Sequence, residues 1–438
     1  MQAGKVYPIH NLSVFKQQLL SWANQFSSCC FLDNHQYASP WQQQECLLAV
    51  GAKAMLQTQA GKALAQIDAF TQEHRGQWIF GHLGYGLTYE LMQQQSQHPH
   101  PDPDGFADAC LFVPEIVLQC NDNSVCIYAD DVRLADEIFK VIKSQYVGNA
   151  STQSCMRIGQ MTPVLSQAQY LQAIATLQQH ILRGDCYEIN FCQQFLVPDA
   201  VVDPVALYLS LCEVSPNPFS CYYKIDSNYL ACASPERFLM KRGNHLYSQP
   251  IKGTASRHKY NTDTDETLKQ QLQQSEKDRS ENVMVVDLVR NDLSQICNSG
   301  SVQVAELFGI YTYPQVHQMI STIEGELRPG TSFAQILQAT FPMGSMTGAP
   351  KPSVVSLIDK YEQGQRGIFS GSVGYIQPNG DFDFNVVIRS IVYEQAAKQL
   401  HYHVGSGITH YSVPEKEYEE CQWKSAAIEQ VLSKLQTQ

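Results

Sequence analysis

The spacing of hydrophobic and polar residues divides the chain into helical and extended parts. In "LSQAQYLQAIATLQQHILRG" apolar residues recur at helical spacing, with Ser166 suited to cap the first turn and Gly184 to end the last. After Gly184, the segments "CYEINFCQQFLV", "FSCYYKID", "YLACASPERFLMKR" and "HLYSQPI" alternate with a period of two and contain many aromatic or β-branched residues. This pattern predicts a helix between Ser166 and Gly184, followed by strands with short connections that form an antiparallel sheet.

The order of the later segments predicts the fold class. Helical patterns return in "TDETLKQQLQQSEKDRSENVMVVDLVRNDLSQI" and "SFAQILQAT", and extended patterns return in "GIFSGSVGYIQP", "FDFNVVIRSIVYE" and "QLHYHVGSGIT". A last helix is predicted in "PEKEYEECQWKSAAIEQVLSKLQ". Groups of strands and helices that do not strictly alternate are typical of an α+β protein.

Two polar stretches interrupt these patterns. The spaced prolines of "QQQSQHPHPDPDG" (93–105) predict a long surface loop, and "YVGNASTQSCMRIGQMTP" ends at Pro163, just before the predicted helix. We therefore predict a boundary near 150 to 160, with an N-terminal region over 1–150 and a second region over 151–438.

Composition and charge restrict the function. The chain has 438 residues, with 42 acidic against 30 basic residues and a formal charge of −12. Since it has no basic block, we expect no nucleic-acid or anionic membrane partner, and a small-molecule ligand instead. It shows neither a signal pattern nor a membrane-spanning run, which predicts a cytoplasmic protein. The 14 cysteines include no C-x-x-C pair and are interpreted as reduced core residues, the alternative being disulfides in a secreted protein.

Acidic residues recur three apart on two predicted helices. Asp278 and Glu281 lie in "SEKDRSEN", and Glu417 and Glu420 lie in "PEKEYEECQWK", with Lys424 one turn further on. Each pair alone is more typical of a solvated helix face with ion pairs. If the two faces are opposed, however, their carboxylates supply the hard oxygen ligands that Mg²⁺ prefers.

Two glycine-containing segments are candidates for ligand contact. In "FPMGSMTGAPKPS" a turn that includes Thr347 leads into Lys351 and a predicted helix start, which favours an anion, although a tight turn with an ordinary cap is an equally good interpretation. The sequence does not fit a phosphate loop of the G-x-x-x-x-G-K-[ST] type. Gly405 and Gly407 in "HVGSGIT" would let backbone amides approach a ligand, although such glycines more often mark bulges.

"SPERF" and "PIKGT" place a carboxyl and an amine near the ends of neighbouring strands. Glu236 and Lys252 can face one cavity across a hairpin that turns near Gly243 and Asn244. In a closed site we expect burial to lower the pKa of Lys252 toward nucleophilic competence. The alternative is an exposed ion pair on a hairpin.

Six motifs in this order carry a resemblance to a known family. "SPERF", "PIKGT", "VDLVRNDL", "GSMTGAPK", "VGSGIT" and "EKEYEE" resemble the chorismate-utilising enzymes, which include anthranilate and isochorismate synthases, over roughly residues 160 to 435. The resemblance implies large, mostly antiparallel sheets packed together with helices outside. It also implies Mg²⁺ bound through Glu281 and Glu420, with Asp278 and Glu417 in support.

The resemblance also implies roles for individual side chains. Glu236 matches the acid that protonates the departing C4 hydroxyl of chorismate, His317 the histidine beside that hydroxyl, and Arg389 the arginine that receives the enolpyruvyl carboxylate. The other positions expected to contact the substrate are Gly253, Thr254, Thr347, Gly405, Gly407 and Lys424.

Lys252 indicates a branch of the family. Most branches resemble "P-x-A-G-T", whereas "PIKGT" resembles the branch that aminates chorismate at C4 for 4-aminobenzoate and folate synthesis. The implied role of Lys252 is to attack C2 and form a covalent adduct, which ammonia from a separate glutamine amidotransferase subunit then resolves. The alternatives are an anthranilate synthase large subunit and, in another class, a non-catalytic chorismate-binding subunit.

Three further features bear on this assignment. Glu188 stands where isochorismate-type relatives have a water-activating lysine, which argues against water addition at C2, and Phe369 stands where some relatives have tyrosine. The N-terminal "CCFLDNHQY" resembles a tryptophan-binding segment. A possible tryptophan pocket is therefore predicted at Asn34, Pro218 and Phe219.

Overall fold

The computed structural model describes residues 4–37, 41, 44–98, 104–145, 156–258 and 260–436. Within these ranges the chain forms a 12-stranded and a 10-stranded sheet with antiparallel pairing, flanked by helices. The predicted α+β class is confirmed.

The first sheet runs in the order β1-β8-β7-β3-β2-β11-β12-β21-β22-β10-β18, with β9 also paired to β10. Its strands are β1 (Gly4–Pro8), β2 (Ser28–Asp33), β3 (Cys46–Val50), β7 (Ile116–Asn121), β8 (Ser124–Tyr128), β9 (Thr162–Pro163), β10 (Glu188–Val197), β11 (Phe219–Ile225), β12 (Asn228–Ser234), β18 (Gly348–Ala349), β21 (Ser390–Glu394) and β22 (Gln399–Ile408).

The second sheet runs in the order β15-β17-β14-β13-β20-β19-β5-β6-β4, with β16 also paired to β17. Its strands are β4 (Ala54–Thr58), β5 (Ile79–Leu83), β6 (Ala109–Val113), β13 (Arg237–Arg242), β14 (His245–Gln249), β15 (Ile251–Ser256), β16 (Gln303–Thr312), β17 (Val316–Glu326), β19 (Ser372–Ile376) and β20 (Phe382–Asn385). The segment predicted as "YLACASPERFLMKR" is thus two strands, β12 and β13, which belong to different sheets.

The helices cover the outer faces of the two sheets. They are α1 (Leu12–Ala23), α2 (Ala63–Glu73), α3 (Leu87–Leu91), α4 (Val132–Lys143), α5 (Gln167–Arg183), α6 (Pro204–Val214), α7 (Thr262–Gln274), α8 (Glu276–Ser294), α9 (Phe333–Thr340), α10 (Lys351–Tyr361) and α11 (Pro414–Gln436), with a 3₁₀ turn at Gly344–Met346. The predicted ends of α5 are confirmed, since Ser166 forms a capping box with Gln169 and Gly184 is left-handed with φ of +85°.

Three apolar clusters hold these layers together. Helices α1, α5, α6 and α11 pack on the first sheet, and α2, α8 and α9 pack on the second. A third cluster, with Phe80 and Phe112 from one sheet and Tyr223 and Val392 from the other, lies between the sheets. Burial of such side chains supplies about 1.5–3 kcal/mol each.

Strands from both halves of the chain share each sheet. β2 pairs with β11 in the first sheet, and β5 pairs with β19 in the second. The predicted boundary near 150 to 160 falls largely on residues 146–155, which lie outside the described residues. Residues 99–103 of the predicted loop also lie outside them. The division into two regions therefore stays a prediction.

The cysteines among the described residues are all free, and all but Cys126 are buried. Their burial confirms the interpretation as core residues, and their reduced state stays a prediction. No helix in the described part of the chain is both long and apolar enough to cross a membrane.

Candidate active site

A β-bulge directs Lys252 out of its strand. Between the pairs Ile251↔Ile320 and Thr254↔Gln318, β15 has one residue more than β17. Gly253 within the bulge has φ of +93°, and a Cβ there would lie 2.9 Å from the Asp278 Cβ, so glycine is required twice over. Bulges of this kind bend a strand and re-aim a side chain.

Lys252 forms a buried ion pair with Glu188. The Lys252 Nζ donates to the Glu188 Oε1, and the two side chains are 11% and 4% exposed. Burial acts to lower the pKa of Lys252, but the charges of Glu188, then Glu281 and Glu236, outweigh it and raise that pKa above its usual value. The expectation that burial would lower the pKa of Lys252 is therefore wrong, because an acid on β10 lies against the amine.

Gly407 makes room for this pair. It lies on β22 opposite Asn190, and a Cβ there would be 2.8 Å from the Lys252 Nζ and 3.0 Å from the Glu188 Oε1. The ladder between β10 and β22 is regular here, so this glycine leaves space for side chains and does not mark a bulge. Gly405 accepts a 2.7 Å hydrogen bond from Lys424 through its carbonyl.

Glu236 is a buried carboxyl beside Lys252. It directly precedes β13, is 4% exposed, and its Oε1 accepts from the Ile251 amide at 3.5 Å. Burial raises its pKa to about 7, although the positive charges of Lys252 and Arg389 oppose this rise. A carboxyl that keeps its proton near neutral pH can serve as a general acid.

The guanidinium of Arg389 is a partly buried cation without a side-chain partner among the described residues. The Arg389 backbone carbonyl accepts from the Ala233 amide at 3.1 Å, but the guanidinium has no hydrogen bond or ion pair with the described residues. The φ of Arg389, +50°, lies in the left-handed region. Burial lowers its pKa, while Tyr313 and Glu236 act in the other direction. An unpaired guanidinium held by a constrained backbone beside Glu236 is suited to a carboxylate ligand.

His317 is oriented by two side chains. Its Nε2 lies 3.1 Å from the Asp265 Oδ1 and its Nδ1 lies 3.0 Å from the Thr312 Oγ1, and the ring is 1% exposed. Asp265 also pairs with Arg257 at 2.8 Å, which lowers the pKa of Asp265. Sequence reasoning missed Asp265, which looks like an ordinary first-turn acid of α7.

The predicted metal ligands lie on α8 and α11. Lys252 and Lys277 act on the pKa values of both Glu281 and Glu420, which indicates that the two helix faces approach one another. Burial raises the pKa of Glu281 to about 7. For Glu420 burial acts in the same direction, but Lys424 at 2.7 Å outweighs it and lowers the pKa.

These residues fit a Mg²⁺ ion. No group of three or more His, Cys, Asp or Glu residues among the described residues is arranged to hold a metal. Mg²⁺ is nevertheless often held by one or two carboxylates with water and ligand oxygens. Glu281 supplies a partly buried carboxylate 3.8 Å from Lys277, and Glu420 supplies a second carboxylate. Asp278 is half-buried against Gly253, and Glu417 is buried on the adjacent face of α11.

The remaining predicted contact residues differ in their surroundings. Thr254 is exposed on β15. Thr347 is buried, and its hydroxyl donates to the Met343 carbonyl at 2.8 Å. Lys351 is buried as well and binds the Asp292 carboxylate at 2.7 Å, so the anion site considered at this helix start does not have a free lysine.

The three residues predicted for a tryptophan pocket lie together. Asn34, Pro218 and Phe219 line one cavity between the N-terminal strands and β11. The Asn34 Oδ1 is buried there without a partner. Lys16 bridges the neighbouring Asp33 and Glu45 at 2.6 and 2.5 Å. Phe369, in a different place, stacks on His403 with ring centroids 4.8 Å apart.

Comparisons with known proteins all point to one protein family. A model of chorismate binding enzymes matches residues 28–430. Aminodeoxychorismate synthase component 1 of Bacillus subtilis is 37% identical over 263 residues, which are 60% of this chain and 55% of that protein. Anthranilate synthase component 1 of Haloarcula marismortui is also 37% identical, over 259 residues, which are 59% of this chain and 52% of that protein.

A solved structure confirms the fold. The crystal structure of anthranilate synthase component I from Streptococcus pneumoniae superposes with a TM-score of 0.74 and 22% identity, covering 90% of this chain and 94% of that chain. The matches to the most similar curated relatives span between 29% and 56% of the length of those proteins.

Proposed function

Because the chain belongs to the chorismate binding enzyme family, we propose that it aminates chorismate at C4, as an aminodeoxychorismate synthase component does. The product would be 4-amino-4-deoxychorismate, a precursor of 4-aminobenzoate and folate. The observation that carries the proposal is Lys252, a buried amine on a bulge between Glu188 and Glu236. This amine is buried and paired rather than exposed on the surface, and it can act as a nucleophile once a neighbouring base has taken its proton.

Arg389 and the two acidic helix faces would hold the substrate. The unpaired guanidinium of Arg389 would bind one carboxylate of chorismate. Glu281 and Glu420 would hold Mg²⁺, which supplies positive charge for the ring carboxylate. With both carboxylates fixed, the ring would lie between Lys252 and Glu236, which is the orientation that the reaction requires.

Lys252 would then act as the nucleophile. Its Nζ attacks C2, the electrons of the two ring double bonds shift, and the C4–O bond breaks as Glu236 transfers its proton to the departing hydroxyl. The products of this step are water and an adduct joined through the Lys252 nitrogen. Ammonia next attacks C4, the double bonds return, and the C2–N bond breaks to release Lys252.

Ammonia would be supplied by a separate glutamine amidotransferase subunit. This part of the proposal rests on the component structure that the name of the Bacillus subtilis relative implies. The protein by itself should then turn over with ammonium salts and not with glutamine. Glutamine-dependent turnover by the purified chain alone would contradict it.

Anthranilate synthesis is the second candidate, favoured by the Haloarcula marismortui relative of equal identity. The products separate the two reactions, because 2-aminobenzoate is fluorescent and forms with release of pyruvate. The C4 product releases pyruvate only after a lyase is added. A non-catalytic subunit is disfavoured because Glu236, Lys252, Glu281 and Glu420 are all present.

Intact-mass spectrometry of Lys252 tests the mechanism. The protein is mixed with chorismate and Mg²⁺ without ammonia, and an adduct that maps to Lys252 is expected. Lys252→Ala should abolish the adduct but still bind chorismate, and direct ammonia addition at C2 can then appear because that position is no longer occupied. Lys241→Ala, in the same sheet, is the matched control and should retain the adduct. An unmodified Lys252 in an enzyme that turns over would refute nucleophilic catalysis.

The cavity at Asn34, Pro218 and Phe219 is proposed to bind tryptophan. Its aromatic wall and the unpartnered Asn34 Oδ1 support an amphipathic amino acid. Millimolar tryptophan should raise the melting temperature of the protein, and Phe219→Ala should remove this increase. The same melting temperature with and without tryptophan would refute the site.

A further inference from the structure

Glu188 is fixed against Lys252 by the strands around it. Glu188 pairs with Ala349 of β18, and the next residue, Ile189, pairs with Ile408 of β22. A Cβ at Gly348 would lie 2.0 Å from the Glu188 carbonyl oxygen, so only glycine allows β18 to approach this closely. The backbone of Glu188 is therefore held in one place. The residue is only 3% exposed, and its carboxylate accepts a hydrogen bond from the Lys252 Nζ.

The proposed reaction requires a proton acceptor at this place. An ammonium has no lone pair, so Lys252 must lose a proton before it can form the N–C2 bond. Other acids face Lys252: Glu236 from the segment before β13, Glu281 from α8 and Glu420 from α11. Glu236 must itself donate a proton to the leaving hydroxyl, and Glu281 and Glu420 are assigned to the metal. Of these four carboxylates, only Glu188 has no other proposed role in the reaction.

We propose that Glu188 is the proton acceptor of Lys252, an inference that rests on the proposed function. The Glu188 Oε1 takes one proton from the Lys252 ammonium, and the freed lone pair forms the N–C2 bond. When ammonia later expels the lysine, Glu188 returns the proton to the Lys252 Nζ. The proton therefore moves within one buried pair, and the pair is restored after each turnover.

Two substitutions of Glu188 separate this role from a structural one. Glu188→Gln keeps the length and a hydrogen-bond acceptor but cannot accept the proton, whereas Glu188→Asp keeps the carboxylate and is one methylene shorter. The rate of adduct formation is measured by quenched-flow mass spectrometry with chorismate, Mg²⁺ and no ammonia. We expect Glu188→Gln to lower this rate by about 100-fold or more, since general base catalysis contributes roughly 10²–10⁴-fold. Glu188→Asp should retain more of the rate than Glu188→Gln, and both should bind chorismate with nearly unchanged affinity.

A structural role would give the opposite order, because the glutamine preserves shape better than the aspartate. Glu188→Gln at least as fast as Glu188→Asp would overturn the proposal. So would a Glu188→Gln enzyme faster than wild type, since Glu188 would then merely hold Lys252 protonated. Chorismate binding and melting temperature identify any variant that fails to fold. If one variant does not fold, the rate of adduct formation in the other variant is compared with the wild-type rate. If the wild-type enzyme forms no adduct at all, the result would instead contradict the proposed function itself.

Discussion

Replacing Glu236 by glutamine is expected to stabilise the fold while it removes activity. The carboxyl is 4% exposed, and burial raises its pKa from an ordinary 4.5 to about 7. Between these two pH values the folded protein keeps a proton that the unfolded chain has lost. The free energy of unfolding of the wild type therefore falls as the pH rises from 4.5 to 7. Glutamine does not titrate, so the variant lacks this decrease.

The size of the effect follows from the same two pKa values. At about 1.4 kcal/mol for each tenfold change in proton affinity, ionised Glu236 lowers the free energy of unfolding by about 3 kcal/mol at pH 8. At pH 5.5 the folded carboxyl is still protonated, and the decrease is about 1 kcal/mol. The advantage of Glu236→Gln should therefore be about 2 kcal/mol larger at pH 8 than at pH 5.5.

Urea unfolding at pH 5.5 and pH 8.0 measures this difference. Glu73→Gln is the control, because Glu73 is exposed on α2 and its replacement should change stability by no more than about 0.5 kcal/mol at either pH. Turnover is measured in parallel with chorismate, ammonium and an added lyase, and Glu236→Gln should lower kcat by about 10²–10⁴-fold.

A Glu236→Gln variant that is no more stable than wild type at pH 8 would refute the reasoning. An advantage of the same size at both pH values would refute it equally, because the gain would then come from packing and not from the buried charge. Retained activity with the expected stability change would leave the pKa argument intact and remove Glu236 from its role as the acid.

Three further outcomes are expected. Glu281→Gln should raise the Mg²⁺ concentration for half-maximal activity at least about tenfold, because one of two carboxylate ligands is lost; wild-type magnesium dependence in this variant would contradict the metal assignment. Arg389→Met should raise the KM for chorismate by about 10–100-fold, the worth of a hydrogen bond to a charged group, whereas the exposed Arg290→Met should leave KM unchanged. Gly407→Ala should lower the rate of adduct formation at least about tenfold, because its Cβ would lie 2.8 Å from the amine of Lys252; an unchanged rate would show that the ion pair can shift at no loss.

Local features of the fold could be predicted because the sequence contains their causes. The caps of α5 are set by Ser166 and Gly184, and the aromatic and β-branched residues of β10 and β22 favour extended strands. The order of six motifs was sufficient for the family, although the roles of most site residues remain predictions.

Pairings between distant segments could not be predicted in this way. Glu188 and Lys252 are 64 residues apart and lie in different sheets, so no hairpin rule brings them together. The only sign in the sequence was an acid within a buried apolar strand, since such a charge needs a partner. The partner of Lys351 could not be predicted for the same reason, because Asp292 comes from another helix, 59 residues away.

The pairing of β5 with β19 has a consequence for the synthesis of the protein. β5 ends at Leu83, and the strand that covers its edge begins only at Ser372. At ~5–20 residues per second, the ribosome needs about 15–60 s to make the roughly 290 residues between them. During that time Phe80 and its neighbours, which are fully buried in the finished fold, have an unsatisfied strand edge. The nascent chain therefore presents an aggregation-prone edge that a chaperone or transient non-native contacts must shield until the segment that begins at Ser372 has emerged.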